Sequence, residues 1–103
     1  MSFNKFDPEA SFLKAISHPT RLKAVDFLRS GEKCVCEIVE ALDLEQANVS
    51  RHLAILKREG LLLSRKEGLK VIYQVADQRI YQIIDLCSDI IRQMWLKKAE
   101  FVS

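Results

Sequence analysis

The chain has 103 residues, 49% of them hydrophobic, and a formal net charge of +2. That length holds one domain, residues 1–103, with a core small enough that pairing with a second copy is the default expectation. The composition excludes a disordered or low-complexity protein, and the small net charge leaves the case for a polyanionic partner to how charge is distributed. No run approaches the roughly 20 apolar residues of a membrane span, and Met1 to Phe6 lacks an apolar signal core, so a cytoplasmic location is expected. Three cysteines in a compartment that keeps thiols reduced argue against a disulfide framework and leave ligand, redox or core roles open.

Asp7-Pro8-Glu9 predicts a helix start, with Asp7 as cap and Pro8 in the first turn, running to about Ile16. Pro19 restarts the chain with Ser17 or His18 as cap, and Leu22, Val25 and Leu28 supply a stripe at helical spacing up to Gly31. A short helix follows through Cys36, Ile38, Val39 and Leu42. After a turn at Asp43-Leu44, another helix runs from about Glu45 to Glu59 and stops at Gly60, a left-handed cap. From Leu61 to Val75 the period changes to two. Leu61, Leu63 and Arg65 alternate on one arm, and Val71, Tyr73 and Val75 on the other, around a turn in which Gly68 takes positive φ. From Asp77 to about residue 101 an apolar stripe through Ile80, Ile84, Cys87, Ile91 and Trp95 predicts a helix too long for its own core to cover, hence one that meets a partner copy.

On a wheel of about 100° per residue, Val49, His52, Ile55 and Leu56 group on the inner side of the Glu45–Glu59 helix, with Leu53 at the margin. The outer side carries Gln46, Ala47, Ser50, Arg51, Ala54, Lys57 and Arg58, and no carboxylate. Small residues let the backbone approach a groove floor, Gln46 and Arg51 can bond base edges, and Lys57 can reach phosphate. A solvated amphipathic helix would ordinarily mix both charge signs. The hairpin adds Arg65, Lys66 and Lys70 for phosphate or minor-groove contact, with Glu67 as the acid among them.

Ser17-His18-Pro19-Thr20-Arg21-Leu22, Gly31 through Ile38 with its Cys34-Val35-Cys36, and Gln46 through Leu61 together resemble the ArsR/SmtB family of metal-sensing winged-helix repressors, over about Phe12 to Val75. The resemblance implies a mainly α fold with a β-hairpin wing: helix-turn-helix about 34–60, wing about 61–75 and dimerisation helix about 77–101. It also implies a homodimer that binds a palindromic operator and releases it when an ion or oxidant is sensed. Glu45 departs from the serine that usually opens the reading helix, so Asp43 is expected to cap instead. His18 matches the helix-start position and His52 faces inward; both are expected to be hydrogen-bonded structural residues.

Thiolates select soft ions, and three sulfurs suit trigonal arsenite or antimonite, or lead. Cys34 and Cys36 resemble the Cys-Val-Cys of the arsenic-responsive branch and of the cadmium/lead branch. The third cysteine of the former is replaced by Ile38 and Val39, and the N-terminal cysteines of the latter are missing from Met1 to Phe12, which leaves Cys87 as candidate third ligand or as a core or seam residue. The family's zinc site on the last helix is excluded, because Arg79, Ile90 and Gln93 stand where its partners to Asp77 belong. Residues i and i+2 of a helix point about 200° apart, so two thiolates can share an ion only if the helix start unwinds or Cys34 lies ahead of it. The expected inducer is arsenite or antimonite, ahead of cadmium or lead. A redox- or sulfide-responsive repressor using Cys34, Cys36 or Cys87 is the alternative. An enzyme is not expected, since no Cys-x-x-Cys, phosphate-binding glycine loop or His-rich box is present.

Overall fold

The computed structural model describes residues 2–102, with Val102 described by its backbone alone. In chain order it contains α1 (Asp7–Ile16), α2 (Pro19–Phe27), a single 3-10 turn (Leu28–Ser30), β1 (Lys33–Cys34), α3 (Val35–Leu42), α4 (Gln46–Arg58), β2 (Leu62–Glu67), β3 (Lys70–Val75) and α5 (Arg79–Val102). This is a helix-turn-helix, α3 and α4, followed by a β wing, the mainly helical winged architecture expected. None of the described helices is long and apolar enough to cross a membrane.

Asp7 proves to be the first residue of α1 and not its cap; Phe6 holds the cap position, and the Asp7 carboxylate accepts from the Asn4 amide at 3.1 Å. His18 caps α2, its Nδ1 accepting from the Thr20 amide at 3.1 Å. Asp43 has φ 53° and closes α3, so it is not the cap of α4. That position falls to Glu45, whose side chain makes no capping hydrogen bond. Gly60, at φ +85°, ends α4 as expected: its amide donates to the Lys57 carbonyl and the Leu61 amide to that of Leu56.

The helix stop also moves the wing's register by one residue. Leu61 is spent on closing α4 and lies buried, so β2 begins at Leu62, which faces the core, while Leu63 is turned out. The alternation expected of Leu61 and Leu63 therefore belongs to Leu62 and its successors, because a one-residue offset exchanges the two faces of a strand. Gly68 takes φ +63° in the two-residue turn between paired Glu67 and Lys70. β1, which the sequence reading did not include, adds a third antiparallel strand in the order β1-β3-β2 and sets Cys34 opposite Ile72 and Lys33 opposite Tyr73.

The core lies between α2, α3, α4 and the base of the wing. Leu28, Ile38, Leu53, Leu56, Leu61 and Leu62 are fully buried in it, each stabilising the fold by roughly 1.5–3 kcal/mol relative to exposure. α5 joins through its first turns only: Ile80 and Tyr81 are buried and Ile84 is half-buried. The Tyr81 hydroxyl donates to the Val25 carbonyl at 2.7 Å. Arg29, from the 3-10 turn, packs on the Tyr81 ring and donates twice to Asp85, at 2.7 and 3.0 Å, and once to Asp26 at 2.9 Å. From Asp85 to Phe101 every residue of α5 is exposed, Ile90, Ile91, Met94, Trp95 and Phe101 among them.

Candidate nucleic-acid interface and thiol pair

α4 divides as the wheel predicts on its outer side. Gln46, Ala47, Ser50, Arg51, Ala54, Lys57 and Arg58 are all exposed on one continuous face. Inside, Leu53 is at the centre and not the margin: Val49, Leu53 and Leu56 are buried, whereas His52 and Ile55 are half-buried. The wheel missed this because the ridge facing α3 and α2 is set by their packing, not by α4's own composition. The outer face presents cations and small polar groups at the spacing a major groove accepts.

The wing carries Lys66 and Lys70 exposed and, among the described residues, outside any ion pair. Arg65 is different. Its guanidinium donates to both oxygens of Glu32, at 2.6 and 2.8 Å, and to Glu67 at 2.9 Å. Those bonds hold the Glu32 carboxyl below the usual carboxylate range and raise Arg65 above its ordinary value. The expected phosphate contact is thus occupied by two acids of the chain itself. Glu32 was not legible as part of this face, because only the β1-β3-β2 order brings a residue 33 positions upstream to Arg65.

Cys34 meets the condition for sharing a ligand with Cys36. It lies ahead of α3 at the N-cap with extended backbone, φ −77° and ψ 159°, while Cys36 is in the first turn. Cα atoms 5.3 Å apart bring the sulfurs together, and the structure joins them as a disulfide. The expectation of free thiols is corrected on this point: the cap geometry, invisible in a helical wheel, turns an unfavourable i, i+2 pair into a bonded one. Cys34 also serves the helix, its Sγ accepting from the Glu37 amide at 3.3 Å while the Glu37 carboxylate accepts from the Cys34 amide at 3.1 Å. Cys34 is buried and Cys36 exposed. Cys87 is an exposed free thiol on α5, not a buried core residue, and the fold does not gather it with the pair. Among the described residues no three His, Cys, Asp or Glu side chains are grouped for a metal ion.

His18 and His52 meet at 4.5 Å between ring centroids with the rings tilted by 40°, and Arg21 Nε donates to His52 Nδ1 at 3.1 Å while its Nη1 reaches the Ala15 carbonyl at 3.0 Å. Burial, then the charges of His18, Arg21 and Arg51, push His52 below its ordinary value. His52 is hydrogen-bonded from α4 to Arg21 of α2, and His18 is spent on capping α2, which matches the structural role expected of both. Asp77 accepts from the Arg79 amide and guanidinium and is held at about 2.

Comparison with known proteins places these features in context. Residues 18–64 match the family model described as bacterial regulatory protein, arsR family. An HTH-type transcriptional regulator of Methanocaldococcus jannaschii is 38% identical over 87 residues, 84% of this chain and 98% of that one. The arsenical resistance operon repressor of Escherichia coli is 47% identical over 64 residues, 61% of this chain and 55% of the repressor, so the match spans about half of that protein. Among solved structures, a homodimeric winged helix-turn-helix DNA-binding domain from Mycobacterium bovis superposes with a TM-score of 0.78 at 28% identity, covering 87% of this chain and 83% of the other.

Proposed function

The chain belongs to the ArsR family of winged-helix transcriptional regulators, and from that premise we propose that it is a homodimeric repressor releasing its operator when arsenite or antimonite, or a soft divalent ion such as cadmium or lead, is held by Cys34 and Cys36. One observation carries the reading: Cys34 stands before the first turn of α3, so the two sulfurs share one side of the helix start. Reduced, they are a ready bidentate thiolate for a soft ion. The E. coli relative named for arsenical resistance adds support for the ion class. Gln46, Ala47, Ser50, Arg51 and Lys57 are the groove contacts, with Lys66 and Lys70 on flanking phosphate. The partner copy covers the exposed stripe of α5. Cys87 is left out of the ligand set.

A coupling of about 1–3 kcal/mol between ion and DNA changes affinity about 5- to 150-fold, a small part of a metal–thiolate binding energy. Fluorescence anisotropy of the reduced protein on DNA from upstream of its own gene, titrated with arsenite, tests the reading. Release is expected near one ion per chain. Cys34→Ser keeps a helix-capping oxygen in place of sulfur, so this variant should bind DNA normally and fail to release; release that survives in Cys34→Ser/Cys36→Ser refutes the proposal. A second reading is favoured by the disulfide itself: oxidation of the same pair serves as the signal. Peroxide-driven release of metal-free protein, with the Cys34–Cys36 bond found by mass spectrometry, would select it.

A further inference from the structure

The first turn of α3, the reading face of α4 and the wing enclose a half-open crevice of about 240 Å³. Cys34 and Cys36 form one wall, Gln46 and Ser50 a second, and Leu69 and Lys70 the wing side. The sulfur pair and two groove-reading side chains therefore border the same space. Resting on the thiolate reading above, we propose that this crevice holds the third ligand of trivalent arsenic, that this ligand is a small anionic monothiol from solution, and that it occupies space Gln46 and Ser50 need to meet DNA.

Three features converge. Trivalent arsenic takes three monoanionic ligands and the pair supplies two; α5 contributes nothing to the crevice, and the described residues offer no third sulfur there. The volume equals about eight waters at about 30 Å³ each, enough for the ion and a substituent of a few atoms, whose far end would emerge over α4. The walls are chemically suited: Gln46 and Ser50 can donate hydrogen bonds, and the Lys70 ammonium is in no ion pair among the described residues. A thiol bearing a carboxylate fits that wall better than a neutral one.

The chemistry balances with the thiol as sole co-reactant. Two monothiols reduce the Cys34–Cys36 bond, each giving up a hydrogen atom, and leave as their own disulfide. Arsenous acid then loses its three hydroxyl groups as three waters, using the protons of Cys34, Cys36 and one monothiol; three As–O bonds break, three As–S bonds form, and arsenic stays trivalent. Release by this route is direct overlap with DNA and needs no unwinding of α3.

The test is native mass spectrometry of the full chain and of its Cys87→Ser variant, reduced with a phosphine and supplied with arsenite and mercaptoacetate. The expected product in both is one arsenic plus one mercaptoacetate per chain. Anisotropy under the same conditions should show operator affinity at least fivefold weaker, and excess operator should suppress formation of the adduct. Arsenic bound without mercaptoacetate, or lost in Cys87→Ser, overturns this proposal while leaving the thiolate sensor standing. An adduct that forms equally well on the DNA complex overturns the overlap. No arsenic on the reduced wild-type chain overturns this proposal together with the arsenite form of the thiolate reading.

Discussion

Removing the Glu32 carboxylate should make the protein bind DNA more tightly. Arg65 is held by Glu32 through two bonds and by Glu67 through one, so the three side chains together carry a formal charge of −1 on the wing proposed to meet the backbone of the duplex. Glu32→Gln brings that sum to zero and leaves Arg65 with a single exposed acid. One phosphate contact steepens the dependence of log affinity on log salt by about 0.9 and gives about eightfold tighter binding for each tenfold fall in salt; two wings in a dimer give a slope change of about 1.8 and about 60-fold. Both partners are about half exposed, so the thermal midpoint should hardly move. The assay is anisotropy on one operator duplex across a salt series, for wild type, Glu32→Gln, Arg65→Ala and the double variant. Tighter and steeper binding in Glu32→Gln, abolished in the double variant, is expected. Parallel salt lines for wild type and Glu32→Gln would refute the view that Glu32 competes with phosphate for Arg65.

Leu56→Ala, at a fully buried site, should lower unfolding free energy in urea by about 2–5 kcal/mol. Tyr81→Phe removes the donor to the Val25 carbonyl and should cost about 0.5–1.5 kcal/mol in the same assay. Gly60→Ala forces a side chain onto φ +85°, with an expected loss of about 1 kcal/mol or more. His52 is depressed below its ordinary 6.5 mainly by burial, so between its folded value and 6.5 the unfolded chain binds more protons. Its contribution is complete above about pH 6.5 and lost as pH falls through that window; urea midpoints should drop on acidification, and less steeply in His52→Gln.

Much of this was written in local pattern. Helical spacing, Pro19, Gly60 and Gly68 marked the elements, and the absence of acids from one face of α4 marked the exposed face proposed for DNA. What escaped reading was set by neighbours in space. Asp43 was expected to open α4 and instead closes α3, since a left-handed residue ends a helix regardless of its capping side chain. Leu61 went to the helix stop, which displaced the buried side of β2 to Leu62. The two-residue β1 is too short to carry a period, yet it decides that Cys34 precedes α3 and that Glu32 reaches Arg65. The sulfurs of Cys34 and Cys36 were recognisable as a pair from spacing, but their joining was not, because it depends on the backbone angles of one cap residue.

Burial of α5 ends at Ile84 and its ion pair to Arg29 is at Asp85, although the helix continues for nearly five more turns. An isolated helical segment of that length is marginal in water, so its hydrogen bonds depend on burial that its own domain does not provide. Amide hydrogen exchange should therefore divide one unbroken helix into two regimes. Amides before Ile84 would exchange with the core at a rate indifferent to protein concentration, and those beyond Asp85 would become protected only as concentration rises. The boundary between the two would fall at the Arg29–Asp85 clamp, which ties this helix to the 3-10 turn.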